Sequence, residues 1–82
     1  MKKLAIVPGN KMINGLQVHV VDPVESKGVI LKDYYGKVIT FIKEEDNELA
    51  AHYADEITKF VMACADKRFY KMNFELPKKQ SK

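Results

Sequence analysis

The hydrophobic period of this chain changes at Asp46-Asn47, and that change constrains the fold more than any other feature. Upstream, apolar and polar residues alternate as strands require. Downstream, Leu49, Tyr53, Ile57, Phe60 and Cys64, flanked by Ala50, Ala54 and Val61, recur at spacings of three and four, the period of a helix with one face buried. The pattern predicts a single long helix over residues 47–67, with Asp46 or Asn47 placed to accept the first backbone amides. Asp55 and Lys59 stand four apart in the favourable order for a surface pair. Six acidic residues and no Lys or Arg occupy residues 44–56, and Lys67 and Arg68 close the helix, a distribution that the helix dipole favours.

The apolar stripe is wider than a sheet-covering helix needs. Ala51, Thr58, Met62 and Ala65 extend it at helical steps, leaving Asp55, Lys59, Asp66, His52 and Glu56 as a charged edge. One reading treats the alanines as good helix formers and Met62 as a scattered exposed residue. The other makes this flank a self-association surface, expected to form a homodimer about a two-fold axis.

Upstream of the helix, residues 3–7 form a short apolar run ended by Pro8-Gly9-Asn10, and Asn14-Gly15 is a second turn signal. Residues 16–21 alternate as a half-buried strand that Asp22-Pro23 is expected to end. Residues 28–32 and 37–43 read as a hairpin. Its turn is Asp33-Tyr34-Tyr35-Gly36, with Asp at the first position of a type I turn and Gly at the fourth, where a bulge forms. The second arm is apolar on both faces, as a central strand would be. After the helix, Tyr70, Met72, Phe74 and Leu76 alternate with Phe69, Lys71, Asn73 and Glu75, which predicts a last strand over residues 69–76 stopped by Pro77. The expected fold is α+β: a small, largely antiparallel sheet of four or five strands packed by one long helix, in the order β-β-β-β-α-β.

With 82 residues the chain has room for one domain, expected over residues 1–76, with residues 77–82 as a disordered, lysine-rich tail. The net charge of +3 resides in that tail. Three of the fourteen Lys and Arg fall there, which leaves eleven against eleven acidic residues in the body. A basic start at Met1-Lys2-Lys3 is followed by too short an apolar run for a secretory signal, and no stretch approaches the ~18 apolar residues of a membrane span. A single cysteine cannot form an internal disulfide, so a cytoplasmic protein without membrane contact is expected.

Few residues carry recognisable chemistry. His19 and His52 have no partner at a ligand spacing, the acidic cluster Glu44, Glu45, Asp46 and Glu48 lacks the oxygen spacing and glycine of a calcium loop, and the turns lack a P-loop ending. Cys64 sits on the core stripe, where a thiol is a poor nucleophile. No metal, no cofactor and no catalytic set are expected, and the chain reads as a non-enzyme. The best binding candidate is the hairpin tip, where Tyr34 and Tyr35 lie between Lys32 and Lys37, able to stack on bases and meet phosphates; one tyrosine folding back on the sheet is the plain alternative. Phe69, Lys71 and Arg68 form a weaker patch of the same kind. The leading expectation is a small self-associating binding or regulatory protein for another protein or a small molecule. The alternatives are a nucleic-acid binder using the hairpin tip and the basic tail, and an enzyme with an unfamiliar site.

Overall fold

The computed structural model describes residues 3–76; the expected lysine-rich tail lies outside the described residues. The chain is an α+β mix of five strands followed by one helix: β1 (Leu4–Val7), β2 (Lys11–Asn14), β3 (Val20–Val24), β4 (Gly28–Lys32), β5 (Val38–Lys43) and α1 (Asn47–Ala65). The strands form two antiparallel sheets, a two-stranded β1-β2 hairpin and a three-stranded β3-β4-β5 sheet, rather than one sheet of four or five. Val7, Ile13, Val18, Val29, Leu31, Ile42, Ile57 and Phe60 are buried together, so both sheets and the helix share one core.

The element order differs from expectation at two places. Lys11–Asn14 pairs with β1, Val7 opposite Lys11 and Leu4 opposite Asn14, so a strand stands where the sequence suggested only turns. Conversely, residues 68–76 join no ladder among the described residues. Their alternation survives: Tyr70, Met72, Phe74 and Leu76 are half-buried and the residues between them exposed. Tyr70, Met72 and Phe74 pack on the core beside the helix instead of completing a sheet.

Within the larger sheet, β4 is central and β5 an edge, reversing the expectation for the second hairpin arm. The hairpin itself forms as expected. Asp33 Oδ1 accepts from the Tyr35 and Lys37 amides, the Gly36 amide donates to the Asp33 carbonyl, Gly36 takes a φ of 83°, and the register shifts at Leu31/Lys32. Pro23 does not end β3 but sits inside it, opposite Val29, which is possible because β3 is an edge and a proline there needs no outward partner.

The helix is capped by Asp46, whose side chain accepts from the Glu48 and Leu49 amides; Asn47 instead accepts from the Ser26 amide and ties the β3–β4 turn to the helix start. Ala50, Tyr53, Ala54, Ile57, Phe60 and Cys64 are buried, as the stripe predicts, and Asp55 pairs with Lys59 at 3.1 Å. The charged edge is corrected, however: Glu56 is buried and His52 half-buried, because residues 70–74 lie against them. No helix among the described residues is long and apolar enough to cross a membrane.

Candidate functional site

A groove of about 930 Å³ opens on the surface, within the 300–1,000 Å³ typical of ligand sites. Lys3 and the β1 residues Leu4, Ala5 and Ile6 form one wall, and residues 69–72 with Phe74 form the other, over Phe60. Leu4 and Ile6 are 51 % exposed and Met12, opposite Ile6 on β2, is 62 % exposed, so the outer face of the small hairpin is an apolar patch continuous with the groove. Phe69 adds a further exposed aromatic at the opposite wall. The only charged residues among the described lining are Lys3 and Lys71; it contains no Asp or Glu.

Each wall has its own attachment to the helix. The hairpin wall rests on Gly15. A Cβ there would lie 2.5 Å from Cys64 Sγ and 2.9 Å from Phe60 Cε2, so only glycine lets the end of β2 approach the helix so closely. Burial pushes the Cys64 thiol up from its ordinary value, with Lys3 pulling partly the other way.

The second wall is held by Glu56, only 6 % exposed. Its Oε1 accepts from the Tyr70 hydroxyl at 2.8 Å and from the Asn73 amide at 2.9 Å, while His52 Nε2 meets the Asn73 carbonyl at 2.8 Å. The Phe74 ring packs edge-on against Tyr53 at 5.5 Å, anchoring the segment beyond the polar latch. Burial alone would raise the Glu56 carboxyl, but the Asn73 amide, the Tyr70 hydroxyl and the Lys59 and His52 charges together outweigh it, and the carboxyl lies below its usual value. The hydrogen bond to Glu56, then burial, raise the Tyr70 hydroxyl.

The hairpin tip is organised differently from the groove. Tyr34 and Tyr35 are 71 % and 88 % exposed, so neither buries itself on the sheet. Tyr34 packs edge-on against His19 at 4.9 Å and against Tyr35 at 5.2 Å, giving three aromatic rings in a row. Lys32 is half-buried at the end of β4 and Lys37 exposed, with Asp33 between the arms using its carboxylate on the turn amides. A smaller concavity of about 350 Å³ adjoins the tip, bounded by Leu16, His19 and Ile39.

On the helix, Ala51, Thr58, Met62 and Ala65 are all exposed on the flank turned away from the core; the Thr58 hydroxyl donates to the Ala54 carbonyl. Arg68 pairs with Asp66 at 3.1 Å, whereas its sequence neighbours Phe69 and Lys71 line the groove. No group of three or more His, Cys, Asp or Glu among the described residues could hold a metal ion. Sequence reasoning missed the groove, although both its signals were present: Leu4 and Ile6 make β1 apolar on its outward face as well as its inward one, and Phe69 stands out of phase with the buried residues of its segment. No family model, curated protein or solved structure matches the chain.

Proposed function

We propose that this chain is a non-enzymatic binding module whose ligand occupies the apolar groove between β1 and residues 69–74. The supporting observation is that four of the ten exposed large hydrophobic side chains among the described residues, Leu4, Ile6, Met12 and Phe69, gather around this one concavity. Burying such side chains contributes roughly 25 cal/mol per Å² of apolar surface, so a ligand that covers them gains without any catalytic chemistry. The test is titration of an apolar fluorophore such as anilinonaphthalene sulfonate into folded protein, with near-ultraviolet circular dichroism recorded throughout. Saturable binding that Met12→Glu and Ile6→Lys abolish, with the fold intact, supports the reading. Equal binding by both variants, or none by the parent, refutes it.

Self-association through Ala51, Thr58, Met62 and Ala65 belongs to the same reading, and the exposure of all four on one flank favours it. A second reading, nucleic-acid binding, draws on the exposed His19, Tyr34 and Tyr35 rings beside Lys37, since bases stack on such rings with little sequence preference. A gel shift with labelled single-stranded DNA and RNA at low salt separates the two: binding that Tyr34→Ala and Tyr35→Ala reduce supports the tip, and no shift removes it.

A further inference from the structure

The two sheets treat their edges differently. The three-stranded sheet is guarded at one position on each outer edge: Pro23 on β3 offers no amide, and the Lys11 side chain donates to the Phe41 carbonyl on β5. Among the described residues the outer edge of β1 has no such guard, and it faces the groove. Which backbone groups it presents follows from the ladder. The Gly15 amide donates to the Lys3 carbonyl, so alternation makes Lys3, Ala5 and Val7 the residues bonded to β2 and turns the amides and carbonyls of Leu4 and Ile6 outward.

The opposite wall has the same property. Asn73 spends its amide on Glu56 and its carbonyl on His52, toward the helix. Neighbouring residues of an extended run present their backbone groups to the opposite edge, so those of Tyr70, Met72 and Phe74 point away from His52 and Glu56. No backbone hydrogen bond joins residues 69–76 to another part of the described chain. The groove therefore runs between two strand-like edges whose main-chain groups have no ladder among the described residues.

Resting on the groove reading above, we infer that the ligand is an extended peptide segment of a partner protein, which enters the groove as a strand and pairs with β1 on one side and residues 70–74 on the other. Main-chain pairing supplies affinity in this mode, and pockets for alternate side chains supply selectivity. Leu4, Ile6, Met12 and Phe69 receive apolar side chains. Lys3 on one wall and Lys71 on the other, with no carboxylate in the described lining, select a segment whose ends carry Asp or Glu.

The experiment uses the full chain and an octapeptide of alternating valine and threonine with two glutamates at each end, fluorescently labelled, in four forms. These are the parent, two versions N-methylated at alternate backbone amides of either parity, and one with lysines replacing the glutamates. Anisotropy gives affinity, and nuclear magnetic resonance with amide exchange locates the site. The parent is expected to bind, with slowed exchange at Leu4, Ile6, Tyr70 and Met72. Either N-methylated form is expected to lose at least tenfold, because a strand seated between two edges uses amides of both parities, and the lysine-flanked form to bind about tenfold more weakly. If N-methylated and parent peptides bind alike, strand pairing is overturned while an apolar groove stands. Dye binding without peptide binding has the same meaning. If neither binds, the groove reading falls too. Slowed exchange at Leu4 and Ile6 that grows with protein concentration, with no peptide bound, makes a second copy the occupant and overturns the partner-peptide inference.

Discussion

Replacing Glu56 tests whether one buried carboxylate holds the second wall of the groove. In Glu56→Ala, two hydrogen bonds to a charged acceptor disappear, from the Tyr70 hydroxyl and the Asn73 amide. Hydrogen bonds to a charged group contribute roughly 1.5–3 kcal/mol each, with a further cost where a buried partner is left orphaned. Here Tyr70 is half-buried and Asn73 exposed, so both donors regain water once the segment lifts. The His52 contact and the edge-on packing of Phe74 on Tyr53 also survive the substitution. The expected cost is therefore nearer about 2 kcal/mol than the full sum, with Glu56→Gln costing about half as much because its amide oxygen still accepts. Two kcal/mol corresponds to roughly a 30-fold change in equilibrium, so amide exchange at Asn73 should accelerate about 30-fold while amides of β4 change only as much as global stability does. The pH dependence has a fixed sign. A carboxyl lowered in the folded state stabilises above its unfolded value, and that contribution is lost as pH falls through the folded one. At the alkaline end the Tyr70 hydroxyl, raised in the folded state, stabilises below its unfolded value and loses that contribution as pH rises through the folded one. The segment should thus be docked across the neutral range and released at both extremes, and Glu56→Gln should remove the acid limb and weaken the alkaline one, since the Glu56 carboxylate also raises Tyr70. Asn73 protection within twofold of the parent in Glu56→Ala would refute the latch.

Three further outcomes are expected. Gly15→Ala should destabilise by about 1–3 kcal/mol through overpacking against Cys64 and Phe60, and Cys64→Ala should recover part of that loss in the double variant, as a denaturation cycle would measure. Asp46→Ala should cost about 1 kcal/mol in urea unfolding through loss of the cap on the Glu48 and Leu49 amides, while Asp46→Ser stays close to the parent. If the outer helix flank mediates self-association, light scattering coupled to size exclusion should show a dimer at high micromolar concentration that Met62→Lys converts to monomer; a monomeric parent would remove the flank from consideration.

Local chemistry made much of this architecture legible. The Asp46 cap, the core stripe from Leu49 to Cys64 and the Asp33-to-Gly36 turn each depend on residues within a few positions of one another, and each appears where the pattern put it. What depended on distant pairing was harder to read. Lys11–Asn14 is too short to declare a period, and becomes a strand because β1 lies beside it. Pro23 looked terminal because its tolerance depends on β3 being an edge, a fact of sheet order. Residues 69–76 showed a strand's alternation correctly, but alternation states only which side chains turn inward, and it was Glu56 on the helix that chose their neighbour. The groove has two walls more than fifty residues apart in sequence, and no window spans both.

The attachments at Gly15 and Glu56 give the helix a role as a ruler. One wall registers against Phe60 and Cys64, the other against His52 and Glu56, and these positions lie on one rigid rod about one to three turns apart, at ~1.5 Å of rise per residue. The separation of the walls is thus inherited from helical geometry rather than from the residues that would meet a ligand. Substitutions at Leu4, Ile6, Met12 or Phe69 can retune what is recognised without altering the width of the slot, whereas a one-residue insertion between Glu56 and Phe60 would rotate one wall away from the other by about 100° and abolish the slot with every lining side chain intact.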